Sequence, residues 1–131
     1  MEIIFRHKFL SCLIILTGYL TSSCFNHFYA QVLLNNGANI NAIGGAYIHV
    51  NGSVKNNIGT VNIEAIGGVP AEIYVTEDVI NNSYLIVEGH IRLLGDWYNN
   101  STFTSNIGTV FLQGANQLIS GTVETNFFNL T

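Results

Sequence analysis

Residues 91–100 read Ile91-Arg92-Leu93-Leu94-Gly95-Asp96-Trp97-Tyr98-Asn99-Asn100, and the same ten-residue pattern stands twice more upstream. Residues 48–57 read Ile-His-Val-Asn-Gly-Ser-Val-Lys-Asn-Asn, and residues 73–82 read Ile-Tyr-Val-Thr-Glu-Asp-Val-Ile-Asn-Asn. Each copy has an aliphatic residue at its first and third positions, Ser or Asp at the sixth, Val or Trp at the seventh, and Asn-Asn at its close. The copies begin 25 and then 18 residues apart. Self-similarity at or near a period of about 20 to 50 residues marks an architecture of stacked units.

Within each copy the residues alternate as a strand does. Ile48, Val50 and Val54 fall on one face, as do Ile73, Val75 and Val79, then Ile91, Leu93 and Trp97, while His49, Tyr74 and Arg92 share the opposite face. A second short strand is expected after each Asn-Asn, over residues 60–65, 85–89 and 109–114. The strings Asn57-Ile58-Gly59-Thr60-Val61 and Asn106-Ile107-Gly108-Thr109-Val110 are identical. Aligned on them, Val61, Leu85 and Val110 form one core column and Ile63, Val87 and Leu112 the next, with residues 101–105 as an insertion.

The fold this implies is all-β, a parallel β-solenoid (β-helix) of short coils of 18–25 residues, with repeats starting near 48, 73 and 91. Successive coils lie about 4.8 Å apart, so like apolar residues stack in columns, and a stacked Asn amide both donates and accepts along its column. An antiparallel β-sandwich is the alternative: it suits short alternating strands but does not require identical residues at matched positions. Residues 31–47, two short apolar runs divided by Asn-Asn-Gly and Gly-Gly, read as an N-terminal coil or cap. Pro70 falls in the Gly67-Gly68-Val69-Pro70 loop, where it takes no hydrogen bond from a ladder. The end of the chain, with Phe127, Phe128 and Leu130, reads as an open coil suited to self-association or docking.

Ahead of the repeats, Arg6, His7 and Lys8 precede an apolar run over residues 9–20, the pattern of a secretory signal peptide ending near residue 30. Leu20-Thr21-Ser22-Ser23-Cys24 offers a second reading, a lipoprotein acylated and membrane-anchored at Cys24; a retained membrane anchor is a third. Residues 31–131 then form one β-solenoid repeat domain, with Lys55 and Arg92 as their basic residues against seven acidic ones. Such a surface repels phosphate backbones, which argues against nucleic acid. Both cysteines, Cys12 and Cys24, precede residue 31, so the domain has neither a disulfide nor a thiolate metal site.

Gly95-Asp96-Trp97-Tyr98-Asn99-Asn100, Gly108-Thr109-Val110-Phe111, Gly114, Gln117, Ile119-Ser120-Gly121 and Phe128-Asn129-Leu130-Thr131 together resemble a repeat of large surface proteins of Gram-negative gliding bacteria. Those proteins are exported by the type IX secretion route and built from β-solenoid-like arrays. The resemblance implies an exported, adhesin-like or structural module whose partners are other surface proteins, further copies or glycans.

Candidate chemistry is sparse. Asp78 and Asp96 share one repeat position, with Ser53 at that position in the first copy, so stacking brings two carboxylates close; with Glu77 they are a candidate calcium site. The bland alternative is a set of solvated corner acids. Strict alternation from Ile73 points Glu77 inward, so a corner or bulge is expected there. Tyr74, Arg92, Tyr98 and His49 form a candidate ligand stripe whose rings stack on sugars, and Trp97 reads as core. Glu88 and His90, two apart, are a surface pair or a weak metal pair. There is no G-x-S-x-G and no H-E-x-x-H, so the expectation is a structural or adhesive module without catalytic activity. A carbohydrate-binding module, or a remnant of a β-helical carbohydrate-active enzyme, is the alternative.

Overall fold

The computed structural model describes residues 13–14 and 27–131, with side chains from residue 31 onward. In chain order the strands are β1 (Leu13–Ile14), β2 (His27–Ala30), β3 (Val32–Ala42), β4 (Tyr47–Val50) and β5 (Val54–Ile63), then a small hairpin, β6 (Ala65–Ile66) and β7 (Val69–Pro70). They continue as β8 (Glu72–Val75), β9 (Val79–Asn81), β10 (Tyr84–Val87), β11 (His90–Leu93), β12 (Trp97–Asn99), β13 (Phe103–Ser105), β14 (Thr109–Leu112), β15 (Ile119–Ser120) and β16 (Asn129–Leu130). Apart from the antiparallel hairpin, every pairing is parallel and joins one turn of the chain to the next. The chain is a β-solenoid of about five turns. Most of the expected leader lies outside the described residues; within it, β1 pairs with β3 and β2 with β4.

Each coil has three sides. The first is the six-stranded sheet β2-β4-β8-β11-β14-β16. The second and third belong to one bent sheet: β9 pairs with the start of β5 and β10 with its end, so β5 runs through a corner at residues 57–59. Gly59 makes that corner possible. Its φ is +97°, and an added Cβ would lie 2.3 Å from the Ala38 carbonyl oxygen of the coil beneath.

The interior is a set of apolar columns. Ile48, Ile73, Ile91, Val110 and Leu130 stack on the first side, and Val50, Val75, Leu93 and Leu112 beside them. Val54, Val79, Trp97 and Ile119 stack on the second side. Ile40, Val61, Leu85 and Phe103 stack on the third. Most of these residues are buried, and burying each aliphatic side chain contributes roughly 1.5–3 kcal/mol. Trp97, fully buried as expected, is the largest residue in its column and packs edge-on against Phe103 and Phe127. Its Nε1 donates to Thr125 Oγ1 at 3.2 Å, so the segment after β15 folds across this end of the stack. Leu118, Ile119, Val123, Phe128 and Leu130 remain exposed there.

The alignment of the third copy needs correction. The column above Val61 and Leu85 continues with Phe103, not Val110, and residues 103–105 are the third side of that coil rather than an insertion. Val110 opens the next coil above Ile91. Equivalent residues Ile48, Ile73, Ile91, Val110 and Leu130 are therefore spaced 25, 18, 19 and 20 apart. The single long interval contains the β6–β7 hairpin, which leaves the wall at Glu64 and rejoins at Ala71, where the Ala71 N–H donates to the Glu64 carbonyl at 2.8 Å. Pro70 sits in this excursion, outside the stacked ladders.

The repeated Asn-Asn forms two ladders at the corner between the second and third sides. Inside, Asn35 donates to Asn56 at 2.9 Å, Asn56 to Asn81 at 3.1 Å and Asn81 to Asn99 at 2.9 Å. Each of these amides also donates to a main-chain carbonyl of the following coil, at Thr60, Tyr84, Thr102 and Glu124 in turn. Outside, the direction reverses: Asn57 donates to Asn36, Asn82 to Asn57 and Asn100 to Asn82, and the Thr122 N–H donates to Asn100 Oδ1. Main-chain partners fix both orientations, since a carbonyl can only accept and an N–H can only donate.

Candidate binding face on the first side

Strand alternation puts Ile73, Ile91 and Val110 inside the first side and aims the residues between them at solvent. Two outward columns result. His49, Tyr74, Arg92 and Phe111 stack in one, and Tyr47, Glu72, His90 and Thr109 in the other. Arg92 is the hinge between them. Its Nε donates to Glu72 Oε2 at 3.0 Å, and its guanidinium carbon lies 3.8 Å from the centroid of the Phe111 ring. His90 Nδ1 is 3.7 Å from the same Glu72 oxygen, and its ring meets Phe111 edge-on with centroids 5.5 Å apart. One coil below Arg92, Tyr74 meets His49 edge-on at 5.1 Å.

Glu72, His90 and Arg92 keep 24%, 31% and 29% of their side-chain surface exposed, enough to meet a ligand while neighbouring groups hold them in place. The guanidinium is restrained by a charge-assisted bond on one side and a cation–π contact on the other. The Glu72–Arg92 contact engages one nitrogen and one oxygen. The two terminal nitrogens of Arg92 and the second oxygen of Glu72 remain as a donor group beside an acceptor.

Of the expected stripe, His49, Tyr74 and Arg92 do share a column, but Tyr98 does not join them. It lies on β12, on the second side, outward between Ile80 and Ser120. The chain turns a corner at Gly95 and Asp96, and alternation counted from Arg92 does not carry through it. Tyr98 OH donates to Asp96 Oδ2 at 3.1 Å, and the phenol is pushed above its usual range, first by that hydrogen bond and by the negative charge of Asp96, then by burial and Asp78. Residues the sequence reading left out of the stripe, Glu72, His90 and Phe111, are the ones Arg92 gathers. Glu72 immediately precedes Ile73, and Phe111 was hidden by the misplaced alignment of Val110.

The acidic corner is built for structure. Asp78 Oδ1 accepts the Asp96 N–H and Asp96 Oδ1 accepts the Leu118 N–H, both at 2.8 Å, so each carboxylate ties its coil to the next. Glu77 is exposed, at the expected corner, and its Oε2 accepts the Ser53 hydroxyl at 2.9 Å. Among the described residues no group of three or more His, Cys, Asp or Glu side chains comes together to hold a metal ion, so Glu77, Asp78 and Asp96 are not gathered as a calcium site. Glu88 and His90 do not share a face either. Gly89 lies between the ends of β10 and β11, Glu88 Oε1 accepts from Asn106 at 3.2 Å, and His90 stands beside Glu72. Comparison of the chain with protein-family models, with curated proteins and with solved structures gives no match.

Proposed function

We propose that this chain is a secreted or surface-attached structural module that mediates adhesion, exported through its N-terminal leader or anchored by acylation at Cys24, and that it carries no catalytic activity. The observation that supports the reading best is the pair of continuous asparagine ladders beside the apolar columns. They make a rod in which each coil holds the next through backbone, amide and apolar contacts, leaving the outward positions of the sides open to variation. A rod of this kind keeps its shape without a disulfide and displays flat faces away from whatever holds its end. The exposed apolar residues 118–130 give it a surface for meeting another surface protein or a second copy.

The hairpin supplies a test site. Gly67 and Gly68 are exposed at its tip, and neither has an atom within 4 Å of where a Cβ would be. An epitope inserted between them in the native gene is expected to be labelled by antibody on intact cells, and deletion of the gene to reduce attachment of those cells to surfaces. Labelling that appears only after lysis would overturn the reading.

A further inference from the structure

We infer that the chain assembles head to tail with further copies of itself, the last coil of one copy completing the first coil of the next, and that the leader strands β1 and β2 cover this joint until export removes them. This rests on the adhesive reading above, with the leader cut near residue 30, and names a second copy as the partner. The two ends are two parts of one coil. β3 opens at Val32 and supplies a second and a third side, while the first side of its coil is β2. A cut after Ala30 takes that side away. At the other end β16 supplies a first side, and no strand follows it among the described residues. The registers match as well. β2 sets His27 opposite Tyr47 and Phe28 opposite Ile48, and β16 sets Asn129 opposite Thr109 and Leu130 opposite Val110. Asn129 and Leu130 therefore fit the places of His27 and Phe28 beside β4 of the next copy. Leu130 then continues its column into the Ile48 of that copy, and Ile119 continues the Trp97 column into its Leu33. Thr131 falls at the place of Tyr29, a single residue short of where Gln31 begins.

Backbone, burial and charge favour the same joint. The Thr131 N–H donates to the Val110 carbonyl at 3.0 Å and its carbonyl accepts the Leu112 N–H at 2.8 Å. Strand alternation then turns the Leu130 N–H and carbonyl the other way, toward a following strand. Ile119 and Leu130 keep 43% and 46% of their surface exposed, whereas Leu33 and Ile48 are 4% and 8% exposed while β1 and β2 are paired at that end. Removal of the leader opens the second pair to receive the first. Residues 31–47 carry no charged side chain and residues 118–131 only Glu124, so nothing at the joint repels. Two C-terminal ends meeting each other would instead set Glu124 near its own copy and run β16 antiparallel to itself, ending the parallel columns. A head-to-tail joint that keeps the coil axis never closes, so the product is a fibre. With about five coils per copy at about 4.8 Å each, its axial repeat is about 24 Å.

The test uses the full chain with a protease site placed between Ala30 and Gln31, followed by light scattering and electron microscopy before the cut and after removal of the leader. The expected result is concentration-dependent growth into fibres after the cut only, abolished by Leu130→Asp, a change at an exposed position whose fold is checked by circular dichroism. Register is read by disulfides, since the native cysteines leave with the leader. Tyr47 and Asn129 are set opposite each other across the joint, one strand spacing apart and within reach of a disulfide. Oxidised Tyr47→Cys, Asn129→Cys chains should give a ladder of multimers, and Asn129→Cys alone should stay monomeric. A cut chain that remains monomeric, equal growth before the cut, growth undiminished by folded Leu130→Asp, or disulfide dimers of Asn129→Cys alone would overturn the inference. So would a chain recovered from cells with an acylated Cys24, which keeps β2 in place. Surface labelling of intact cells is scored separately, so a displayed chain that does not assemble removes the fibre and leaves the adhesive reading in place.

Discussion

Asn35, Asn56, Asn81 and Asn99 stand inside one corner of the coil, and Asn36, Asn57, Asn82 and Asn100 stand just outside it, each one residue further along the chain. The inner amide contacts measure 2.9, 3.1 and 2.9 Å, and the outer ones 3.1, 3.1 and 2.9 Å. Residue type, spacing and bond length are thus the same. What differs is water: the four inner side chains are no more than 1% exposed, whereas the outer four lie at the surface. A hydrogen bond contributes modestly when solvent can replace it, and its loss is costly when solvent cannot. Two ladders that look alike should therefore respond very differently to the loss of one rung.

The largest effect is expected at Asn81, in the middle of the inner ladder. Asn81→Ala removes the acceptor of Asn56 Nδ2 and the donor to both Asn99 Oδ1 and the Thr102 carbonyl. Two buried groups, Asn56 Nδ2 and Asn99 Oδ1, lose a partner at about 1 kcal/mol or more each, while the Thr102 carbonyl keeps the Leu85 N–H, so the loss should be on the order of 2 kcal/mol. Denaturant unfolding of variant against wild type measures it. A change below about 1 kcal/mol would mean that water enters the corner and takes over the amide's role, which would erase the distinction between the ladders.

The repeats were legible because their signal is chemical as well as periodic. Asn-Asn closes each copy, and only stacking gives a buried amide a like neighbour on either side. The fault in the alignment came from Asn57-Ile58-Gly59-Thr60-Val61 and Asn106-Ile107-Gly108-Thr109-Val110, identical strings in different settings. The first bends through the corner inside β5; the second is the turn leading into β14, which opens a new coil. Local sequence sets a turn, but the partner strand decides which side of the coil follows it. Spacing carried the correction: placing Val110 above Ile91 makes every interval 18 to 20 residues except the one lengthened by the hairpin. The candidate face was legible only in part for a related reason. Alternation placed Tyr74 and Arg92 together within their strands, whereas Tyr98 lies beyond a corner and Glu72 enters through its contact with Arg92, which no spacing in the sequence displays.

A smaller effect is expected one residue along, at Asn82. Asn82→Ala deletes a rung that donates to Asn57 and accepts from Asn100, but water reaches both partners, so the loss should stay within about 0.5–1 kcal/mol. The double variant Asn81→Ala, Asn82→Ala sharpens the comparison. Independent ladders would give additive losses, whereas a combined loss well beyond the sum would mean that the outer rungs limit water's access to the inner ones.

The smallest effect belongs to Tyr98, another hydrogen bond on the outside of the coil. Because Asp96 raises the Tyr98 pKa above its ordinary value of 10.0, the folded chain holds that phenolic proton more tightly than the unfolded chain does. The resulting stabilisation is complete below the unfolded pKa and is lost as pH rises through the higher folded one. At neutral pH, Tyr98→Phe loses only a solvent-exchangeable bond and should melt close to wild type. Between about pH 9 and pH 11 the wild-type Tm should fall more steeply than that of the variant, the two curves converging as the phenol ionises. Curves that stay parallel throughout would show that the bond to Asp96 adds nothing to the folded state, placing it with surface contacts weaker still than the outer asparagine rungs.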